Sequence, residues 1–268
     1  MPFTPSHAVV ALPFVRTPLA PAAVAVGAMA PDLPLFLPGT PLDYATTHDL
    51  AGLPLTLCVA LVLLLVWRML LRPAVRELSP RAIARRLPAA WDGGPVAAMR
   101  ETFARRGGRH PSWAGLALVV AALAIGVVSH IVWDEFTHEG RAGSALLPAL
   151  GGQWGPWPGY RWLQYGSSVV GLAVLAAAAL VWLRRSAADA APVRRVLPTW
   201  ARAAWLASLV VVAGAGVVAL APAGPEFTPT YLAYRILVPM CTGWAVLTLA
   251  LALLVQLLRR LRPRPRSA

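Results

Sequence analysis

Lysine and asparagine are absent from this 268-residue chain, and cysteine occurs only twice. Cys58 and Cys241 lie inside apolar runs and form no Cys-x-x-Cys pair, which excludes a thiolate metal knuckle or a dithiol redox site. They read as small buried hydrophobes. Without lysine, every strong base is an arginine. Together with abundant Ala, Pro, Val and Leu, this points to a GC-rich coding sequence, so arginine in place of lysine carries little chemical information here. Acidic residues are scarce, 11 against 24 arginines, for a net charge of +13. Such a balance invites a nucleic-acid partner. The placement of the arginines excludes one, because they lie beside apolar runs where they set topology and touch anionic lipid. No internal repeat and no soluble second domain is present.

What the chain does have is apolar length. It is 58% hydrophobic with a mean hydropathy of +0.63. That composition is expected of an all-α, polytopic membrane helix bundle, a single membrane domain over residues 1–268. Five segments are long enough to span: about 53–71, 113–133, 166–183, 202–221 and 230–258. Before them, about 6–37, an apolar stretch is broken at Arg16-Thr17-Pro18 and again at Pro21. One kinked span and a broken helical hairpin both fit, since Pro breaks at membrane depth are tolerated where protein covers them. The hairpin is favoured because it brings His7 and Asp32 to the same side. Ala28-Met29-Ala30 mimics a signal cleavage site. However, no base precedes the apolar run and Pro31 follows, so the segment is expected to stay in the mature protein.

Arginine counting orients the spans. Ten lie from Arg68 to Arg109, five from Arg184 to Arg202 and five from Arg259 to Arg266, which puts 20 of 24 on one side. That side is expected to be cytoplasmic, with the chain in the bacterial cytoplasmic membrane and the C-terminus inside. Trp67, Trp113, Trp182 and Trp200 fall near the same interface. The loop of about 72–112 is expected to be an interfacial helix plus linker. The loops around 38–52, 134–165 and 222–229 then face outward, and they gather His48, Asp49, Asp134, Glu135, His138, Glu139 and Glu226.

Within that gathering, His130 and Asp134 are spaced i, i+4 and share a helix face, where an imidazole and a carboxylate can grip one cation. Ionisable groups at the edge of a membrane helix are costly to place, so a functional role is the first hypothesis. His138 lies roughly 80° around and about 12 Å further along, too far to share one ion with His130 on an ideal helix. Thr4-Pro5-Ser6-His7, Ala30-Pro31-Asp32 and Thr46-Thr47-His48-Asp49 each put a potential ligand at an outer helix end. Separate helices converging on one point is how bundles build metal centres. Histidine with aspartate and no thiolate suits zinc, manganese or iron. Plainer roles stand beside these: Asp32 as a turn cap, Asp49 as an N-cap, His138 as a solvated side chain. Arg235 needs a carboxylate partner, Asp32 or Glu226, or an anionic substrate group. The aromatic run Gln153 to Trp162 reads as an interfacial anchor or a lid.

The segments MPFTPSHAVVALPF, GAMAPDLPLF, TTHDL, SHIVWDEFTHEG and YRWLQYGSSVVG, taken as a set, resemble a bacterial integral membrane family known only as a domain of unknown function. The resemblance implies a multispanning fold and supplies no activity. More distantly the chain is similar to membrane-bound metal-dependent hydrolases related to zinc phospholipase C. His7, Asp32, His48 and the His130/Asp134 pair fall in order on that pattern, although TTHDL lacks the Arg-Gly before and the Ser after that the hydrolases carry. These observations lead to the expectation of a metal-dependent hydrolase acting on a lipid-linked or phosphoester substrate at the outer membrane face. His7, Asp32, His48, His130 and Asp134 would hold one or two divalent ions, with zinc expected from the ligand types. Asp49 or Glu135 would serve as general base, and Arg235 would hold an anionic oxygen. A scaffold with a structural polar or metal site is the alternative. A transporter fits less well, because charges deep in the bundle are scarce and no paired broken helices appear. The sequence leaves oligomeric state open.

Overall fold

The structure is a computed structural model and describes residues 4–105, 108, 110–189, 193, 195–220, 235–236 and 238–261. It is a helical membrane bundle. Among the described residues four helices are long and apolar enough to cross a membrane: Leu50–Leu78, Trp113–Thr137, Gly159–Arg185 and Val238–Leu261. The five expected spans are thus four. The fifth, about 202–221, is the helix Thr199–Leu220, of which only the shorter apolar stretch Thr199–Ala215 is described with its side chains. Much of the last expected span before Val238, and Glu226, lie outside the described residues.

The chain packs as two compact units. The first comprises Met1–Pro34, Gly39–Leu65 and Arg100–Arg185. Its centre is the helix Trp113–Thr137. In its most apolar window 44% of residues are buried, against 11–17% in the other three spans. Ser112 starts this helix by accepting the Gly115 N–H (3.0 Å), an N-cap that satisfies one of its free donors. The N-terminal region is the expected hairpin. A 3₁₀ helix, Thr4–Arg16, is followed by a turn and by Pro21–Met29, which continues as a 3₁₀ segment, Ala30–Phe36. Pro21 begins the second arm, where its missing N–H costs nothing.

Glycine decides how closely this hairpin approaches the central helix. A Cβ on Gly27 would stand 2.3 Å from the Leu123 carbonyl oxygen, and one on Gly126 would stand 2.2 Å from that of Val24. Two backbones in such contact need small residues on both sides, the usual solution where lipid gives no hydrophobic drive. Gly171 on Gly159–Arg185 admits Ser6 in the same way, with a Cβ at 3.0 Å from its carbonyl oxygen.

The second unit comprises Leu35–Pro38, Val66–Met99 and Ser186–Ala268. Its core joins Ala74, Leu78, Leu197, Ala252 and Val255, with Leu70, Trp205 and Leu258 against them. The segment of about 72–112, expected as an interfacial helix plus linker, holds a run of short helices: Arg72–Leu78, Arg81–Ala84 and Ala89–Asp92, then Gly94–Phe103. Its charges do not merely mark topology. Glu77 is wholly buried, accepts the Val196 and Leu197 N–H groups at 3.1–3.2 Å, and pairs with Arg259 (3.5 Å) and Arg202 (3.8 Å). Asp92 pairs with Arg76 and, at 2.9 Å, with Arg259.

The cysteines also depart from expectation. Cys58 is exposed and Cys241 half-buried. Apolar sequence does not imply a core position in a membrane helix, because its lipid-facing surface is apolar too.

Candidate metal centre

Four separate segments deliver side chains to one buried point in the first unit. His7 comes from the first hairpin arm, Asp32 from the end of the second, His48 from the residue after the short helix Tyr44–Thr47, and His130 and Asp134 from the central helix. All five are buried, the least so being His7 at 8% exposure. By helix rise, His130 and Asp134 sit within about 10 Å of the helix end at Thr137.

Local structure fixes each ring. The Gly27–Gly126 approach puts the Ala28 carbonyl 2.7 Å from His130 Nδ1. A carbonyl only accepts, so Nδ1 carries a proton, and in the neutral ring Nε2 is left with its lone pair. His48 repeats the pattern, with Nδ1 3.0 Å from the Tyr44 carbonyl. Its turn is pinned by Asp43, which caps Tyr44–Thr47 and accepts both the Thr46 N–H (2.8 Å) and hydroxyl (2.5 Å). Those bonds hold the exposed Asp43 carboxyl below its ordinary pKa. Thr47 ties the turn to the hairpin by donating to the Pro31 carbonyl (2.8 Å). Tyr44 stacks on the His48 ring at 3.6 Å.

The two bare nitrogens face each other. His48 Nε2 and His130 Nε2 are 3.1 Å apart. Asp32 Oδ1 lies 3.6 Å from the first and 3.7 Å from the second; Asp134 Oδ2 lies 3.6 Å and 3.5 Å from them. Donors held at about 2.1 Å from one tetrahedral ion stand about 3.4 Å apart, close to each of these five spacings. Two three-residue groups could each hold an ion, Asp32/His48/His130 and His7/His130/Asp134. A shared proton could serve the histidine pair alone. It would leave Asp32 Oδ1, both oxygens of Asp134 and His7 Nε2 buried without a hydrogen-bond partner. Unpaired buried carboxylates cost several kcal/mol each. Among the described residues each ion pair of Asp32 and Asp134 is to a histidine. Three neutral imidazoles and two carboxylates carry a charge that one divalent cation cancels. Asp32 Oδ2 is oriented by the Thr4 hydroxyl, which donates at 2.6 Å.

Two of the other expected site residues, Asp49 and Glu135, accept backbone N–H groups at turns. Asp49 is exposed and caps the turn Leu50–Gly52, accepting the Ala51 N–H at 2.8 Å. Glu135 accepts the Ala142 N–H (2.9 Å) and meets Arg141 at 3.4 Å, closing the turn after the helix. Arg235 is an exposed residue of the second unit. His138 sits at the cluster's edge, with Nδ1 3.1 Å from the Asp134 carbonyl and Nε2 3.3 Å from Gln164 Nε2. Burial holds its pKa below the ordinary value. The aromatic run forms a small hairpin, Gln153–Trp154 with Trp157–Pro158, locked by Trp162 Nε1 donating to the Trp154 carbonyl (2.8 Å).

Sequence reasoning missed Thr4, Tyr44, Ala28 and Gln164 as partners of the cluster. Thr4 lay in a segment already singled out, three residues from His7, and was the findable one. The Ala28 carbonyl depends on two glycines 99 positions apart in the chain, which no local pattern pairs.

Buried imidazoles and carboxylates from four segments, inside a bundle of membrane-length helices, define a polytopic membrane protein with a candidate metal centre. The chain belongs to the family described as Domain of unknown function (DUF4184), which it matches over residues 1–258. Neither a curated protein nor a solved structure matched it.

Proposed function

We propose that this chain is a membrane-embedded, metal-dependent hydrolase whose substrate is a lipid-linked or phosphoester group. The observation that supports it is the approach of Asp32 Oδ1 and Asp134 Oδ2, each at 3.5–3.7 Å, to the Nε2 atoms of His48 and His130, which are 3.1 Å apart, with a backbone carbonyl at each histidine's Nδ1. Zinc suits four such donors best; manganese and iron accept the same types. A bound divalent ion would polarise a phosphoryl or acyl oxygen and bring the pKa of a bound water near 7. In the net reaction the water oxygen bonds to phosphorus or carbon, the bond to the leaving oxygen breaks, and the water's proton passes to that oxygen. The residues supply fixed lone pairs, and Thr4 keeps Asp32 turned inward. With Asp49 and Glu135 engaged by backbone N–H groups, no separate base is assigned. From the arginine asymmetry, the centre belongs on the extracytoplasmic side at headgroup height.

Burial favours a second reading. Donors exposed by only 0–8% also suit a closed structural site in a membrane scaffold. A chelator-stripped sample assayed on a soluble phosphodiester and on lipid-linked phosphate, before and after zinc or manganese is restored, separates the two. Metal-dependent cleavage lost in Asp32→Ala supports the hydrolase. Metal binding with no cleavage of any such ester supports the scaffold.

A further inference from the structure

Asp134 has two oxygens, and they face different neighbours. Oδ2 looks toward His48 and His130. Oδ1 looks toward His7 Nε2, at 3.8 Å. Oδ1 and His7 Nε2 are both buried without a hydrogen-bond partner. An ion beside the facing nitrogens of His48 and His130 would use Oδ2 and leave this second pair of lone pairs facing each other. His7 is also stacked on His130, with ring centroids 4.0 Å apart and planes 25° from parallel. Ligand atoms of His7, His130 and Asp134 lie within 4.8 Å of one another, so an ion at His7 would stand close beside one at His130. Paired metal ions in hydrolytic centres stand about 3.5–4 Å apart.

Resting on the metal reading above, we propose that the cluster takes a second divalent ion between His7 Nε2 and Asp134 Oδ1, with Asp134 as the bridge, and that the ion pair binds a phosphate group. The charge argues for that ligand class. Two carboxylates cancel one divalent ion, so a second leaves two positive charges in a buried place, and an anionic oxygen ligand must complete it. With only two ligands from the chain, the second ion keeps open positions for the phosphate oxygens. His7 is the most exposed member of the cluster, which makes this the outer and more exchangeable ion.

The test uses the full chain in detergent, loaded with Mn²⁺ and freed of excess, with metal counted by mass spectrometry and the pair detected by electron paramagnetic resonance. Two ions per chain with a spin-coupled signal are expected, falling to one uncoupled ion in His7→Ala. Binding of inorganic phosphate should weaken at least tenfold in that variant. One uncoupled ion in the unmodified protein overturns the second site and leaves the first intact. No ion at all overturns both. Because the unmodified protein gives the decisive count, a variant that misfolds does not blunt the result.

Discussion

Glu77 in the second unit and Asp134 in the first are buried to the same degree, and their surroundings differ in kind. Glu77 receives two backbone N–H groups and two guanidiniums. Asp134 faces four imidazoles, those of His7, His48, His130 and His138, and among the described residues neither oxygen has a hydrogen-bond partner. Arginine cannot give up its proton, so the Glu77 network is closed as it stands. Neutral histidines whose Nδ1 protons are donated elsewhere offer only lone pairs, so on the metal reading proposed above a cation completes the Asp134 cluster. A buried charge by itself therefore says little about function. The protonation state of what surrounds it says much more.

The sharpest way to break this contrast is to remove each carboxylate in turn. Glu77→Ala strands buried guanidiniums and two N–H groups, and should cost about 3–5 kcal/mol of stability. Asp134→Asn removes a charge that the metal-free protein leaves uncompensated. Thermal unfolding of the stripped protein in detergent should show a large loss in the first and none in the second. On adding metal at about 100 times its Kd, the wild type should gain about 2.7 kcal/mol and Asp134→Asn should gain little. A metal-free Asp134→Asn protein as damaged as Glu77→Ala would mean that the two clusters are alike.

Gly126→Ala probes how the first cluster is positioned. Its Cβ would meet the Val24 carbonyl at 2.2 Å, so the hairpin must move off the central helix and take Ala28 away from His130. Overpacking of this kind costs about 1–3 kcal/mol. Metal affinity should fall with stability; an unchanged affinity would show that the Ala28 carbonyl does not set the His130 tautomer. Thr4→Val is gentler. It removes the hydroxyl from Asp32 while leaving every ligand, and loss of such an orienting bond should weaken metal binding about 10–100-fold without a comparable loss of fold.

The smallest effect lies at Asp43. Its folded pKa is held down by the Thr46 hydroxyl and N–H, so its contribution is present at neutral pH and lost as pH falls through the carboxylate range toward that lowered value. Asp43→Ala should flatten the acid side of the stability profile slightly, read by unfolding between about pH 5 and pH 3. An unaltered profile would show that the His48 turn is held by Thr47 and Tyr44 alone.

Much of the cluster was legible in the chain because its spacing is local. His130 and Asp134 share a helix face, and the Pro breaks near residue 20 allow a hairpin that returns Asp32 toward His7. The Glu77 network was not legible. Arginines beside a span read as topology markers, and nothing near Glu77 in sequence names Val196, Arg202 or Arg259 as its partners. Asp49 and Glu135 were mistaken in emphasis for a related reason: a carboxylate near a site and one capping a turn look the same until the backbone is placed. The fifth long span is described with its side chains only through Ala215.

X-ray absorption at the metal edge of the purified, zinc-loaded protein tests the central claim most directly. Nitrogen and oxygen scatterers at about 2.0–2.2 Å with the outer pattern of imidazole are predicted, and they should vanish in the His130→Ala, Asp134→Ala double variant. A protein that loads no zinc, or a double variant that keeps the same signal, would contradict it.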